Sequence, residues 1–117
     1  MTHNQVIGGW GESAAAEYLQ LRGYEIVERN ARTPSGEIDI VARHDGIMVF
    51  VEVKTRTSRR YGLPEEAVTP RKQAHMLAAA ECYAGEHEIF FWQADVLAVE
   101  GQPGTPPKIE HFENVLS

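Results

Sequence analysis

The sequence predicts an α/β fold with a mixed central β-sheet flanked by helices. Apolar residues recur at steps of three and four near the start, and an alanine-rich segment follows Thr69; both features indicate helices. Between these segments lie short runs rich in Ile and Val in which apolar and polar residues alternate, which is typical of strands. A strongly apolar strand follows the second helix, so we expect the order α-β-β-β-α-β with one further β segment at the end.

The first half of the chain is predicted to contain one helix and three strands. Helical spacing runs over Ile7–Arg22, and Gly23 stands where a left-handed cap ends a helix. Residues 30–35 are rich in turn-forming types and are expected to form a loop. The strands are expected over Tyr24–Glu28, Glu37–His44 and Ile47–Thr55.

The second half is predicted to contain a capped helix and two strands. Thr69 would cap the helix, with Pro70 at its first position, and the helix would run to about Tyr83. A buried strand is expected over Ile89–Val99, with the aromatic run 90–92 packed in the core, and Ile109–Phe112 would form an edge strand.

Composition favours one soluble domain over residues 1–117. The hydrophobic fraction is 43% and the charged fraction is 24%, and no apolar run approaches the roughly 18 residues of a membrane helix. The first residues lack the features of a signal peptide, and the lone Cys82 cannot form an internal disulfide. We therefore expect a cytoplasmic protein without a membrane partner.

The net charge of −6 argues against non-specific binding to nucleic acid, but the charge is unevenly distributed. Residues 54–72 carry six basic and two acidic side chains, a net of +4, directly after the most apolar predicted strand. These basic side chains would contact phosphates beside a site at the strand end, although a solvated loop would have the same composition. The candidates for nucleic-acid contact are Arg56, Arg59, Arg60 and Lys72.

The dipeptide Asp45-Gly46 predicts a two-residue hairpin turn that fixes the register of the flanking strands. With His44 opposite Ile47, Asp39 falls opposite Glu52 and Glu37 falls opposite Lys54. Because strand side chains alternate, all four charged side chains would share one face of the sheet. The opposite, core face would carry Ile38, Ile40, Ala42, Val49, Val51 and Val53.

Two opposed carboxylates destabilise a strand pair unless a proton or a divalent cation offsets their repulsion. Asp39, Glu52, a metal and Lys54 together are the groups that metal-assisted phosphodiester hydrolysis uses. Glu12 stands at the margin of the first helix's apolar stripe, where it would either overhang this site or remain a surface residue. The alternative is a cross-strand Glu37–Lys54 salt bridge with solvated acids and no chemistry.

Asp39 followed by Glu52-Val53-Lys54 on the next strand resembles the PD-(D/E)xK nuclease superfamily, although Ile38 replaces the proline of that name. Within it, residues 8–96 resemble the YraN family of small uncharacterised bacterial proteins, which are similar to Holliday junction resolvases. The most specific matches are Gly36-Glu37-Ile38-Asp39 and Phe50-Val51-Glu52-Val53-Lys54.

The resemblance implies a restriction-endonuclease-like fold and a metal-dependent endonuclease acting on structured, branched DNA. Because resolvase-like relatives pair to cut two strands, it also implies a homodimer. It implies that Glu12, Asp39, Glu52 and Lys54 stand at catalytic positions and that the first three bind Mg²⁺ or Mn²⁺. Lys54 would orient the attacking water and stabilise the charge at phosphorus, and Glu37, opposite Lys54 in the predicted register, would support it. The alternatives are a non-catalytic nucleic-acid-binding module or a structural, protein-interaction domain. Asp95 is expected to pair with Lys72 or Arg56 or to lie near the site, and the sequence does not decide between these.

Overall fold

The computed structural model of the protein describes residues 3–58 and 62–116, and the predicted α/β class is confirmed. Two α-helices and five strands follow one another in the expected order, with a short 3-10 helix at Pro64–Ala67 before the second α-helix. The elements are α1 (His3–Leu21), β1 (Glu25–Thr33), β2 (Gly36–His44), β3 (Ile47–Arg56), α2 (Pro70–Glu86), β4 (Trp92–Glu100) and β5 (Lys108–Phe112).

The five strands form one mixed sheet in the order β1-β2-β3-β4-β5. Neighbouring strands are antiparallel except for β3 and β4, which are parallel because α2 connects them across one face of the sheet. The predicted hairpin register between β2 and β3 is confirmed from His44↔Ile47 to Ile40↔Val51. Asp45 and Gly46 make the turn with φ values of 51° and 77°, as a two-residue turn between twisted strands requires.

The helices cover opposite faces of the sheet and bury two separate apolar clusters. On one face, α1 packs Leu19 and Ala15 against Ile40, Val51 and neighbouring residues of β3 and β4. On the other, α2 packs its alanines and Tyr83 against Val41 and Phe50. β3 is therefore buried on both sides, as its nearly continuous apolar sequence indicated.

The structure departs from the sequence predictions at several element ends: α1 begins at His3 instead of Ile7, α2 ends at Glu86 instead of about Tyr83, and two strand ends also differ. β1 runs on to Thr33 instead of ending at Glu28, because β1 pairs with β2 as far as Thr33↔Gly36. β4 begins at Trp92 instead of Ile89, and the expectation that the aromatic run 90–92 is core was wrong for two members: Phe90 is 84% exposed and Phe91 77% exposed. Neither helix in the described part of the chain is long and apolar enough to cross a membrane.

Helix α1 approaches β3 very closely at Gly11. A Cβ atom added to Gly11 would lie 2.0 Å from Thr55 Oγ1 and 2.6 Å from its methyl carbon. A side chain at this position would therefore push the first turns of α1 away from the end of β3. The close approach matters for the site because Glu12 is the next residue on the helix.

We expect Gly11→Ala to destabilise the protein by about 1–3 kcal/mol, since it overpacks the contact with Thr55. Gly9→Ala is the matched control, because a Cβ there meets nothing within 4 Å. In the control, the gain in helix propensity should stabilise the protein by about 0.5–1 kcal/mol. Denaturant unfolding measures both variants, and equal free energies of unfolding for the two would contradict the close approach.

Candidate functional site

The candidate site lies at a fork where β2 and β3 separate. Their ladder ends at Ile40↔Val51. Beyond that rung, residues 36–38 pair with β1 and residues 52–56 pair with β4. The predicted pairs Asp39–Glu52 and Glu37–Lys54 fall past the last rung, so they are not ladder partners. We use the word fork for residues Gly36–Asp39 together with Glu52–Arg56.

A switch of faces in β2 accompanies the fork. Ile40 belongs to the cluster under α1, but Ile38 belongs to the cluster under α2. The prediction that Ile38 shares a face with Ile40 was therefore wrong. On the neighbouring strand Asn30 has a φ of 54°, and Ala31, the partner of Ile38, also lies in the α2 cluster. The local break in alternation places Asp39 between the two faces of the sheet.

Two clefts open from the fork, one on each side of the sheet. The cleft beside α1 has a volume of about 340 Å³ and is lined by Glu12, Asp39 and Lys54 with their apolar neighbours. The cleft beside α2 has a volume of about 300 Å³ and is lined in part by Glu37, Glu52, Lys72 and His75. The four predicted acids thus surround one short stretch of backbone, but from two faces instead of one.

Asp39 is the most crowded carboxylate of the site. Its Oδ2 accepts a hydrogen bond from the Val53 backbone N–H at 2.8 Å, which fills the place that a β2 carbonyl would take if the ladder continued. The pKa of Asp39 is raised from 3.8 to about 7, mostly by burial, next by the charge of Glu52, and less by the charges of Glu12 and Glu37. The hydrogen bond from Val53 acts in the opposite direction and lowers this pKa.

Glu12 reaches the site from α1, as one of its two sequence interpretations proposed. Its side chain is only 16% exposed, and Arg29 Nε lies 3.6 Å from its Oε1, which is an ion pair but too long for a hydrogen bond. Among the described residues, this buried oxygen has no hydrogen-bond partner. Arg29 is held from its other end by Ser13, to which it donates at 3.3 Å.

Glu52 is paired with a lysine from α2. Lys72 Nζ lies 2.9 Å from Glu52 Oε1. The N-terminus of α2 is fixed by Thr69, whose hydroxyl accepts the Lys72 backbone N–H at 3.1 Å. Lys54 is exposed and lines the α1 cleft, and within residues 3–58 and 62–116 no carboxylate lies within ion-pair distance of it. The predicted Glu37–Lys54 salt bridge is therefore not formed.

The ligand oxygens of Glu12, Asp39 and Glu52 are not gathered into one compact group. The described residues contain a single set of three potential ligand atoms that lie within 4.8 Å of one another, and it consists of Asp95, His111 and Glu113. Two of the three acids are instead paired with basic side chains, Glu12 with Arg29 and Glu52 with Lys72. Sequence reasoning missed both pairings, because Arg29 lies on β1 and Lys72 on α2, far from the acids in sequence.

The basic residues predicted to contact phosphates have different surroundings. Arg56 donates to the Leu63 carbonyl oxygen at 3.2 Å, so part of its guanidinium stabilises the end of the basic loop. Lys72 is paired with Glu52, as described above. Arg59 and Arg60 lie outside the described residues.

Asp95 lies in neither of the expected pairings. It is fully buried and accepts hydrogen bonds from Gln93 Nε2 at 3.0 Å and from the Asn114 backbone N–H at 2.9 Å, while His111 Nε2 lies 2.7 Å away. Sequence reasoning missed His111 because the partner strand, β5, is short and gives no pattern that links it to Asp95.

The sequence profile of the uncharacterised protein family UPF0102 matches residues 11–99, which include every acid of the fork. The chain belongs to this family. The resemblance to the YraN family, another name for UPF0102, is thereby confirmed. A UPF0102 protein of Dehalococcoides mccartyi is 46% identical over 93% of this chain and 91% of its own length. A UPF0102 protein of Syntrophomonas wolfei is 47% identical over 97% of this chain and 99% of its own length.

Among solved structures, that of Pyrococcus furiosus SfsA in complex with Ca²⁺ is similar to this UPF0102 protein with a TM-score of 0.41 and 15% sequence identity. The similarity covers 94% of this chain, and this chain spans 63% of the SfsA chain.

We expect Asp39→Asn to stabilise the protein at alkaline pH. Because folding raises the pKa of Asp39, the folded state binds the proton more tightly, and wild-type stability is lost as pH rises from about 4 through about 7. The stability advantage of the variant should therefore grow over that window by about 1.4 kcal/mol per pKa unit, toward an upper limit of about 4 kcal/mol, and then level off. Asn retains the acceptor for Val53, so the hydrogen bond survives the change.

Urea unfolding without metal at pH 5 and pH 8.5 measures this effect. Asp45→Asn is the matched control, because Asp45 lies in the exposed hairpin turn, where Asn also suits a positive φ. If the difference in unfolding free energy between Asp39→Asn and the wild type is the same at both pH values, the assigned pKa is wrong.

Proposed function

We propose that the fork is the active site of a divalent-metal-dependent nuclease that hydrolyses phosphodiester bonds in structured DNA. The supporting observation is the convergence of acids on one carboxylate: Asp39 is desolvated and lies in the negative fields of Glu52, Glu12 and Glu37. Such crowding destabilises the metal-free fold and is offset when a divalent cation binds. The PD-(D/E)xK resemblance of the same residues supports hydrolysis as the chemistry.

The residues at the fork fit a hard divalent cation. Glu12 offers a buried oxygen without a hydrogen-bond partner among the described residues, and Asp39 and Glu52 add two more carboxylates. An all-oxygen set of this kind suits Mg²⁺ or Mn²⁺ better than softer metals. Glu12, Asp39 and Glu52 would hold the ion, which when bound would acidify a water molecule and neutralise charge on the phosphate.

Lys54 has the position of an electrostatic stabiliser. Lys54 lines the same cleft as Asp39 and Glu12, and its ammonium has no carboxylate partner among the described residues. It is therefore available to donate to a phosphate oxygen and to stabilise the negative charge that develops there during attack. Glu37, on the other side of the fork, acts through the local field and makes no direct contact with Lys54.

Arg29 and Lys72 act as internal counter-ions in the metal-free protein. Each partly neutralises one proposed metal ligand, which limits the repulsion that remains at Asp39. Lys72 is 35% exposed and has a flexible side chain, so it can leave Glu52 for a nearby DNA phosphate. In this proposal, the cation that binds Glu52 frees Lys72 for the substrate.

The same pairing supports a second candidate function, a non-catalytic nucleic-acid-binding module. In such a module Arg29 and Lys72 would be permanent partners of the acids, no cation would replace them, and the basic segment 54–72 would still contact phosphates. DNA binding without cleavage under any divalent metal would favour this candidate.

The proposed activity is tested by incubating the protein with linear, flapped and four-way-junction DNA in Mg²⁺ and in Mn²⁺. We expect cleavage of a branched substrate that falls by about 10²-fold or more in Asp39→Asn and in Lys54→Met, since the first removes a proposed metal ligand and the second the proposed donor to the phosphate. Asp45→Asn and Arg43→Met are the matched controls at exposed positions on the hairpin. Cleavage by the fork variants at the wild-type rate would refute the assignment.

We expect Lys72→Met to change metal and DNA binding in opposite directions. Loss of the ammonium should raise the affinity for Mn²⁺ several-fold, because no ion pair to Glu52 has to be broken. The affinity for DNA in the presence of metal should fall, with a weaker dependence on salt. Calorimetry with Mn²⁺ and fluorescence anisotropy with labelled DNA measure the two effects.

Arg71→Met is the control for Lys72→Met, since it removes an exposed charge from the same turn of α2 without touching Glu52. Its Mn²⁺ affinity should equal that of the wild type. If Lys72→Met and Arg71→Met bind Mn²⁺ equally, the idea that a cation displaces Lys72 is wrong.

A further inference from the structure

A second group of ligating side chains lies where β4 meets β5, outside the fork. One ligand atom from each of Asp95, His111 and Glu113 falls within 4.8 Å of the others, the single such set of three in residues 3–58 and 62–116. Asp95 is fully buried, the side chain of His111 is 11% exposed, and Glu113 is exposed. The group is therefore anchored in the core and open to solvent at one end.

The two oxygens of Asp95 have different partners. Oδ1 accepts hydrogen bonds from Gln93 Nε2 and from the Asn114 backbone N–H, so it has its full complement. Oδ2 faces His111 Nε2 at 2.7 Å. Ligand atoms of a tetrahedral zinc ion lie about 3.4 Å apart, given bond lengths near 2.1 Å. An opening of this contact by less than 1 Å would therefore admit a cation between the two atoms.

His111 is oriented from its other nitrogen. The Tyr18 hydroxyl lies 3.3 Å from Nδ1, and the Tyr18 ring contacts the imidazole edge to face. A hydroxyl both donates and accepts, so Tyr18 can serve the neutral imidazole in either tautomer, including the one that leaves Nε2 free to bind metal. Histidine ligands in metal sites commonly have such a partner.

We propose that Asp95, His111 and Glu113 form a second divalent-metal site, distinct from the fork, that binds Zn²⁺ in preference to Mg²⁺. One imidazole with two carboxylates suits Zn²⁺, whereas Mg²⁺ prefers oxygen ligands alone. Two carboxyl groups beside one imidazole also favour a cation over an anion in this pocket. The bound ion would tie β5 and the residues that follow it to the centre of the sheet.

The test uses Asp39→Asn/Glu52→Gln protein, in which two of the three proposed ligands at the fork are replaced, so the result does not depend on the proposed nuclease function. Calorimetry should give one equivalent of Zn²⁺ bound and no measurable Mg²⁺. At free Zn²⁺ of about one hundred times Kd, the Tm should rise by on the order of 10 °C. Adding Glu113→Gln, a change at an exposed position, should weaken Zn²⁺ binding about tenfold or more, and adding Tyr18→Phe should weaken it as well.

Glu110→Gln in the same background is the control, since it removes an acid from β5 that is not one of the three ligands. It should leave Zn²⁺ affinity within twofold. Absence of Zn²⁺ binding in the double variant overturns the proposal and leaves the group as a hydrogen-bonded support of β5. Binding that Glu113→Gln does not weaken also overturns it, because the ion is then held elsewhere.

Discussion

The hydrogen bond from the Val53 backbone N–H to Asp39 is the constraint on which the rest of the site depends. β3 lies inside the sheet and is buried at Val49–Val51, so the N–H groups that face β2 near this stretch need acceptors. Where β2 leaves the ladder, a side-chain oxygen has to replace the lost carbonyl, and Asp39 provides it at 2.8 Å. A carboxylate is thereby fixed between the two faces of the sheet, in a place where its negative charge is poorly solvated.

The surrounding acids make that charge still more unfavourable, and the fold compensates only in part. Two nearby cations pair with the surrounding acids and not with Asp39: Arg29 pairs with Glu12, and Lys72 pairs with Glu52. Lys54 lines the same cleft but makes no ion pair with Asp39, and the remaining imbalance appears as the pKa of Asp39 near 7. An arrangement with this cost to stability is more typical of a binding or catalytic site than of a structural ion pair.

Much of the fold could be predicted because the decisive signals are local. The Asp45-Gly46 turn fixed the register of β2 and β3 as far as Ile40↔Val51, and Thr69-Pro70 marked the start of α2. The predicted pairing of Asp39 with Glu52 does not form, because β2 and β3 separate after Ile40↔Val51. The alternation of apolar and polar residues does not reveal where two strands separate, so the sequence could not predict this. Asn30 on β1 has a positive φ beside the point where β2 leaves β3, and the sequence predicted this residue to lie in a loop.

The partners of the charged groups could not be predicted, because they come from elements far apart in the chain. Lys72 reaches Glu52 from α2, and His111 reaches Asp95 from the edge strand. Tertiary packing decides such contacts, and a pattern within one strand or helix carries no information about them. The exposure of Phe90 and Phe91 has the same origin, since β4 starts to pair only at Trp92.

The net charge of −6 now has a structural interpretation. At the fork and beside β5, acidic side chains gather where the fold leaves them partly or wholly desolvated, and in both places cationic or polar groups of the chain offset them incompletely. At the fork, Arg29 and Lys72 partly neutralise Glu12 and Glu52 at short range. These acids therefore add to the net charge of the protein but repel a nearby phosphate less than unpaired acids would. The segment 54–72, with its net charge of +4, leads from the fork to the start of α2. In the proposed function, a cation bound at the fork would offset these acids and strengthen the attraction for a phosphate.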